Sequence, residues 1–190
     1  DLFTQAIEKT FPGKKIMKKP WPRLDYDDIM LKYGTDKPDL RFGLGIEDIS
    51  GLVKDCGFKV FADMAKKEGH VVRALKVDGG AKFTRKEIDE LTELAQKNGA
   101  KGLAYIVIKK EGELQSPIVK FLGDKLAIKI VKQAKAKVGD IVFFGADKWP
   151  TVCAALSAVR EECGKKLKLI DKNKIALAFI INFPLFEPEL

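Results

Sequence analysis

The chain has 190 residues, 46% hydrophobic and 33% charged, with a formal net charge of +8; this is the profile of a soluble globular protein long enough for one substantial core with flanking segments. No apolar run approaches the roughly 20 residues that span a bilayer, and the first ten residues lack the apolar centre of a signal peptide. The positive balance favours encounter with polyanions without saying which, and it serves solubility equally well.

In chain order, Leu2, Phe3, Ala6 and Ile7 share one face of a helix over residues 1–10, which Pro12-Gly13 ends. A basic, proline-rich link follows over 14–22. Asp25, with Asp28 at the capping-box position, opens a short helix that turns Ile29, Met30 and Tyr33 inward and stops at Gly34. Ile46, Ile49, Leu52 and Val53 predict another amphipathic helix, ended near Gly57. Residues 58–61 read as a short strand and 71–77 as a second. Gly79-Gly80 then turns the chain into a helix with a Thr84/Glu87 capping box and an apolar stripe of Ile88, Leu91, Leu94 and Ala95, closed by Asn98-Gly99.

Residues 103–108 form a strand and 112–117 a loop. Asp124 caps a helix to 137 with Ala127, Ile130, Val131, Ala134 and Val138 inward. After a strand at 140–144, Pro150 sits just inside a helix that runs to about Cys163 and is ended by Gly164. Val152, Ala155, Leu156 and Val159 are its core positions, and 175–183 is the last strand. With helix 124–137 set aside as an insertion, the centre reads β-β-α-β-β-α from 58 to 163. Short links and helices over one face imply an α+β fold, a two-layer sandwich with a mainly antiparallel sheet.

Cys56, Cys153 and Cys163 form no CxxC pair, which suits a reducing cytoplasm with thiols used as small core residues. His70, the only histidine, follows Gly69 at a turn with no Cys or Glu cluster beside it, so neither a zinc site nor a His-based triad is expected. The chain opens on Asp1 rather than Met, as expected for a piece excised from a longer protein.

Residues 33–43, YGTDKPDLRFG, concentrate charge, two glycines and a proline. The tract reads either as a turn fixed by Lys37-Pro38-Asp39, or as a place where Lys37 and Arg41 meet a nucleotide or RNA phosphate. Helix 124–137 carries Lys125, Lys129 and Lys132 opposite its apolar stripe, as a solvated face or an electrostatic surface for tRNA phosphates. Lys82, Arg85 and Lys86 surround a glycine-rich entry to a helix, where free N–H groups can hold an anion unless Thr84 caps them. Phe83 and Trp149 stand isolated, so no base-stacking platform is expected.

Five blocks in order resemble the bacterial-type aspartyl-tRNA synthetases, a class II ligase family. They are the 33–43 tract, GAKGLAYI at 99–106, SPIVKFL at 116–122, GDIVFFGAD at 139–147 and NFPLFE at 182–187. The resemblance implies a GAD insertion domain, with a β-β-α-β-β-α core, lying between motifs 2 and 3 of the catalytic domain. Residues 1–43 would end one catalytic segment, 44–172 would be the insertion, and 173–190 would be the return strand. The parent would form aspartyl-adenylate from ATP with Mg2+, transfer aspartate to tRNA, work in the cytoplasm and be a homodimer without membrane contact. The catalytic residues of that reaction lie outside this chain, so no catalytic, cofactor or metal residue is assigned and the piece alone is expected to be inactive. Asn182 stands where the family has Asp, and Gly45 replaces a common Glu. The GAD domain of the amidotransferase B subunit and a stand-alone RNA-binding or interaction module remain as alternatives.

Overall fold

This computed structural model describes residues 2–110 and 113–186. Gly112, the start of the expected loop, and Glu187, the end of the NFPLFE block, lie outside the described residues.

The chain begins with α1 (Leu2–Thr10), the short strands β1 (Lys15–Ile16) and β2 (Arg23–Asp25), and α2 (Tyr26–Tyr33). Asp25 caps α2 by accepting from the Asp27 N–H at 3.0 Å, a one-sided cap rather than the expected box with Asp28. Gly34 closes the helix at φ 70° and donates its N–H to the Met30 carbonyl. Then come β3 (Ile46–Asp48), α3 (Ser50–Val53), α4 (Lys59–Lys66), β4 (His70–Val77) and, after a 3-10 turn at Gly80–Lys82, α5 (Arg85–Lys97). The second half holds β5 (Ala104–Lys110), β6 (Glu113–Gln115), α6 (Val119–Leu122), α7 (Asp124–Gln133), β7 (Ile141–Lys148), α8 (Trp149–Lys166), β8 (Lys174–Ile175) and β9 (Phe179–Ile181).

Five strands form one sheet in the order β3-β4-β7-β5-β6, every pairing antiparallel. The ladder of β4 on β7 is the longest, running from His70↔Lys148 to Val77↔Ile141. Alternation along the strands divides the core in two. Leu75, Val77, Val107, Ile141 and Phe143 face α5 and α8. Val72, Ala74, Ile106, Ile108, Val142 and Phe144 face α3, α4, α6 and α7. The expected α+β class and antiparallel sheet are present, and α5 and α8 form the expected helical layer. A further layer covers the opposite face, which is why the central strands read as near-continuous apolar runs.

Several local expectations are corrected. The 58–61 strand is the start of α4, whose Phe61, Ala62 and Ala65 take helical spacing toward the second core. The leading strand of the β-β-α-β-β-α order is therefore β3. The helix expected from Ile46 to Val53 divides: Ile46 pairs with Leu75 in the sheet, and only Ser50–Val53 is helical. The 112–117 loop contains β6, paired with β5. Asp124 is the first residue of α7 rather than its cap, the helix stops at Gln133, and Val138 is 54% exposed rather than inward. Gly164 lies inside α8; a Cβ there would sit 2.7 Å from the Phe42 ring, so the glycine makes room for packing instead of ending the helix. The final strand is two short ones, each in a parallel pair: β8 with β1 and β9 with β2.

Candidate functional site

The 33–43 tract is held hard against α8. Gly34 approaches so closely that a Cβ would lie 2.7 Å from the Cys153 carbonyl oxygen, and its positive φ independently favours glycine. Beyond it, the Asp39 carboxylate accepts from its own turn, the Arg41 backbone N–H at 2.9 Å, and pairs with the Arg41 guanidinium at 2.6–3.2 Å. That hydrogen-bonded guanidinium holds the Asp39 carboxyl below its ordinary range. Arg41 thus pairs with its neighbour through Nε and Nη2 while its side chain stays partly exposed, and Lys37 is exposed.

Two arginines that drew no notice in the sequence organise this region. Arg160, on α8, is fully buried and reaches four backbone carbonyls of one tract. Its Nε donates to Leu44 at 2.9 Å, and its Nη2 donates to Asp39, Phe42 and Gly43 at 2.9–3.2 Å. Its guanidinium lies between the rings of Tyr33 and Phe42, 4.6 and 4.3 Å from their centroids. Arg73, on β4 and 2% exposed, donates to the carbonyls of Leu31 and Ile46 and lies over Trp149, 4.9 Å from its ring. The sequence signal was slight: Arg73 stands between Val72 and Ala74 in VVRALKV, and Arg160 follows Val159 but precedes Glu161-Glu162.

The basic candidates fall into separate places. Lys82 sits in the 3-10 turn, and Arg85 opens α5, where it bonds Asp89 at 3.0 Å; Lys86 is exposed beside it. The Thr84/Glu87 box forms as expected, with Thr84 N–H to Glu87 at 2.8 Å and Glu87 N–H to Thr84 at 3.2 Å, so part of this helix start is already satisfied. Lys125, Lys129 and Lys132 are exposed on α7, opposite Ala127, Ile130 and Val131. α5 and α7 cover opposite faces of the sheet, and the segment after α7 meets the turn before α5, where the Ala81 N–H donates to the Gly139 carbonyl at 3.0 Å.

Two grooves accompany these features. One of about 840 Å³ runs between α8 and the chain ends, past Gly34, Asp36, Trp149, Cys153 and Phe183. The other, about 510 Å³, brings together the 99–106 and 139–147 blocks, through Leu103 and Gly145, against Phe58 and Phe61. It opens because β7 pairs with β4 along all eight residues while β5 reaches only as far as Phe144. Among the described residues no group of three or more His, Cys, Asp or Glu side chains is placed to hold a metal ion. None of the described helices is long and apolar enough to cross a membrane.

Comparison with known proteins adds the following. The GAD domain family model matches residues 61–156. An aspartate–tRNA(Asp/Asn) ligase of Syntrophomonas wolfei is 45% identical over 173 residues, 91% of this chain and 29% of the relative. One from Heliobacterium modesticaldum is 45% identical over 98% of the chain and 29% of its own length. An aspartate–tRNA ligase of Enterococcus faecalis is 45% identical over 88% of the chain and 28% of its own length. The chain thus spans less than a third of the curated relatives it matches.

Proposed function

The chain belongs to the GAD domain family, and from that premise we propose that it is the insertion domain of an aspartate–tRNA ligase, carried with short catalytic-domain segments on either side. The boundaries fall near 44 and 172, just before β3 and just before β8. The whole enzyme would activate aspartate with ATP and transfer it to tRNA, as a homodimer in the cytoplasm.

One observation carries this reading: the two ends of the chain pair with each other. β1 lies on β8, and β2 lies on β9 from Arg23↔Phe179 to Asp25↔Ile181, both parallel. Isolated two-stranded parallel ladders this short have no independent stability and occur as parts of larger, covered sheets. The neighbouring Leu2, Phe11, Phe183 and Phe186 are exposed apolar side chains awaiting such cover. An inserted domain requires this arrangement: its start and finish return to one place in the host. The identity to ligases that runs through both ends supports the synthetase over the amidotransferase subunit.

In this reading the ATP and Mg2+ of the whole enzyme are bound by the host's catalytic domain, and no step of the reaction is assigned to this chain. In the full-length protein, aspartate-dependent ATP–pyrophosphate exchange and tRNA aspartylation are the expected activities, with neither in the 190-residue piece. A full-length protein without exchange would overturn the reading. For the contact with tRNA, replacing Lys125, Lys129 and Lys132 with Gln should flatten the slope of log affinity against log salt by roughly 2. An unchanged slope would leave those lysines as solvated charges and shift attention to Lys82, Arg85 and Lys86 on the other face.

A further inference from the structure

The insertion core meets its flank through two crossings, and they are built differently. The returning crossing, 167–173, closes its backbone on the end of its own helix: Leu167 N–H on Cys163, Lys168 N–H on Lys165 and Leu169 N–H on Gly164. The outgoing crossing, 31–46, instead offers its carbonyl oxygens to side chains of the core. Leu31 and Ile46 go to Arg73, and Asp39, Phe42, Gly43 and Leu44 go to Arg160.

Neither guanidinium has a carboxylate hydrogen-bonded to it, and the Nη1 of both is buried without a partner. A charge so placed is a poor device for stability alone, since an apolar side chain of similar volume would fill the space without the desolvation cost. What a planar guanidinium supplies is direction: Nε and Nη2 of Arg160, at a fixed angle to each other, together reach four carbonyls of one crossing, and Nη2 of Arg73 reaches two. We infer that Arg160, seconded by Arg73, fixes the angle at which the GAD core stands on its flank, and so is a positioning residue for the tRNA-dependent step of the proposed reaction. This rests on the proposed synthetase function and extends it by assigning the residue that holds the insertion in place.

The test uses the full-length protein with Arg160→Lys, which keeps the charge and loses the fork. Aspartate-dependent ATP–pyrophosphate exchange, which needs no tRNA, should stay within about twofold of wild type, because the two steps respond separately to tRNA placement. Aspartylation should fall roughly ten- to hundredfold, mainly through KM for tRNA, as small misplacements of a reacting group do. Amide hydrogen exchange in 39–46 should rise while that of β4 and β7 stays unchanged. The milder Tyr33→Leu, which removes one stacking face, should move the same readouts in the same direction by less and guards against loss of the fold. If wild type shows exchange but Arg160→Lys charges tRNA normally, or loses both activities in parallel, the positioning role is overturned. If wild type shows no exchange, the underlying function falls and the inference with it.

Discussion

The five-stranded core and the paired chain ends follow opposite rules. In the core, both faces of the sheet are covered, and Val53, Leu75, Ile106, Phe143 and Leu156 reach zero or near-zero exposure. At the ends, α1 has no buried residue, and β1, β2, β8 and β9 are two or three residues each. The core satisfies itself; the ends are finished on one side only. Aromatic contacts such as Trp21 with Phe179 and Tyr26 with Phe183, at 5.4 and 4.7 Å, tie the ends to each other rather than to the core. A domain that folds locally and a flank that waits for its host are thus both visible in one chain, and the crossing clamped by Arg160 is where they meet.

That contrast can be broken most sharply by truncating the same side chain in each region. Leu156→Ala, at zero exposure, is expected to lower unfolding free energy by about 2–5 kcal/mol. Leu2→Ala, at 77% exposure, should change it by less than about 0.5 kcal/mol when the chain is studied alone. Urea titration of the two variants decides the matter, and a Leu2 effect of core size would mean that the ends are packed after all.

Next in size is Gly34→Ala, at the junction. It forces a left-handed residue to carry a Cβ and presses that atom on the Cys153 carbonyl at 2.7 Å, so a loss of about 2 kcal/mol or more is expected. The same titration reads it, and a neutral result would show that the tract can lift away from α8. Thr84→Ala removes the α5 capping box and should cost about 1 kcal/mol, a purely local loss within the core.

The smallest effect is a pH dependence of the crossing. Asp39 is ionised more readily in the folded chain than its ordinary value of 3.8, chiefly through its bond with Arg41. A folded carboxyl pKa below the unfolded one adds stability above the unfolded value and loses it as pH falls through the folded one. Acid below about pH 4 should therefore loosen 33–43 before the sheet, and Asp39→Asn should abolish that difference. Hydrogen exchange measured across pH 3 to 6 would read it.

Much of the core was legible because its signals are short-range. The alternation at 71–77, the Thr84/Glu87 box with its apolar stripe, and Pro150 at the start of α8 each state their own structure. The failures lie where a local pattern was ambiguous and a distant partner chose. Phe58, Val60 and Phe61 have the composition of a strand, yet Phe61 is drawn into a helix by packing on Phe144, 5.6 Å away between ring centroids. Ile46 fits a helical stripe until Leu75 takes it as a ladder partner. Of the candidate basic residues, Arg41 is engaged by Asp39, Arg85 by Asp89, and the lysines of α7 stand on the opposite face from the α5 entry. The clamp at Arg160 had no motif, since four carbonyls more than a hundred residues away cannot be read from the helix that carries it.

By itself, then, the sequence determined the class of fold, the family blocks and the bounds of α1, α2 and α5, because capping, turn chemistry and alternation act within a few residues. Only the tertiary structure decided that both sheet faces are covered, that the chain ends pair in parallel, and that two buried arginines grip the outgoing crossing. Each of those depends on groups far apart in the chain, whose meeting is fixed by the packing of the whole.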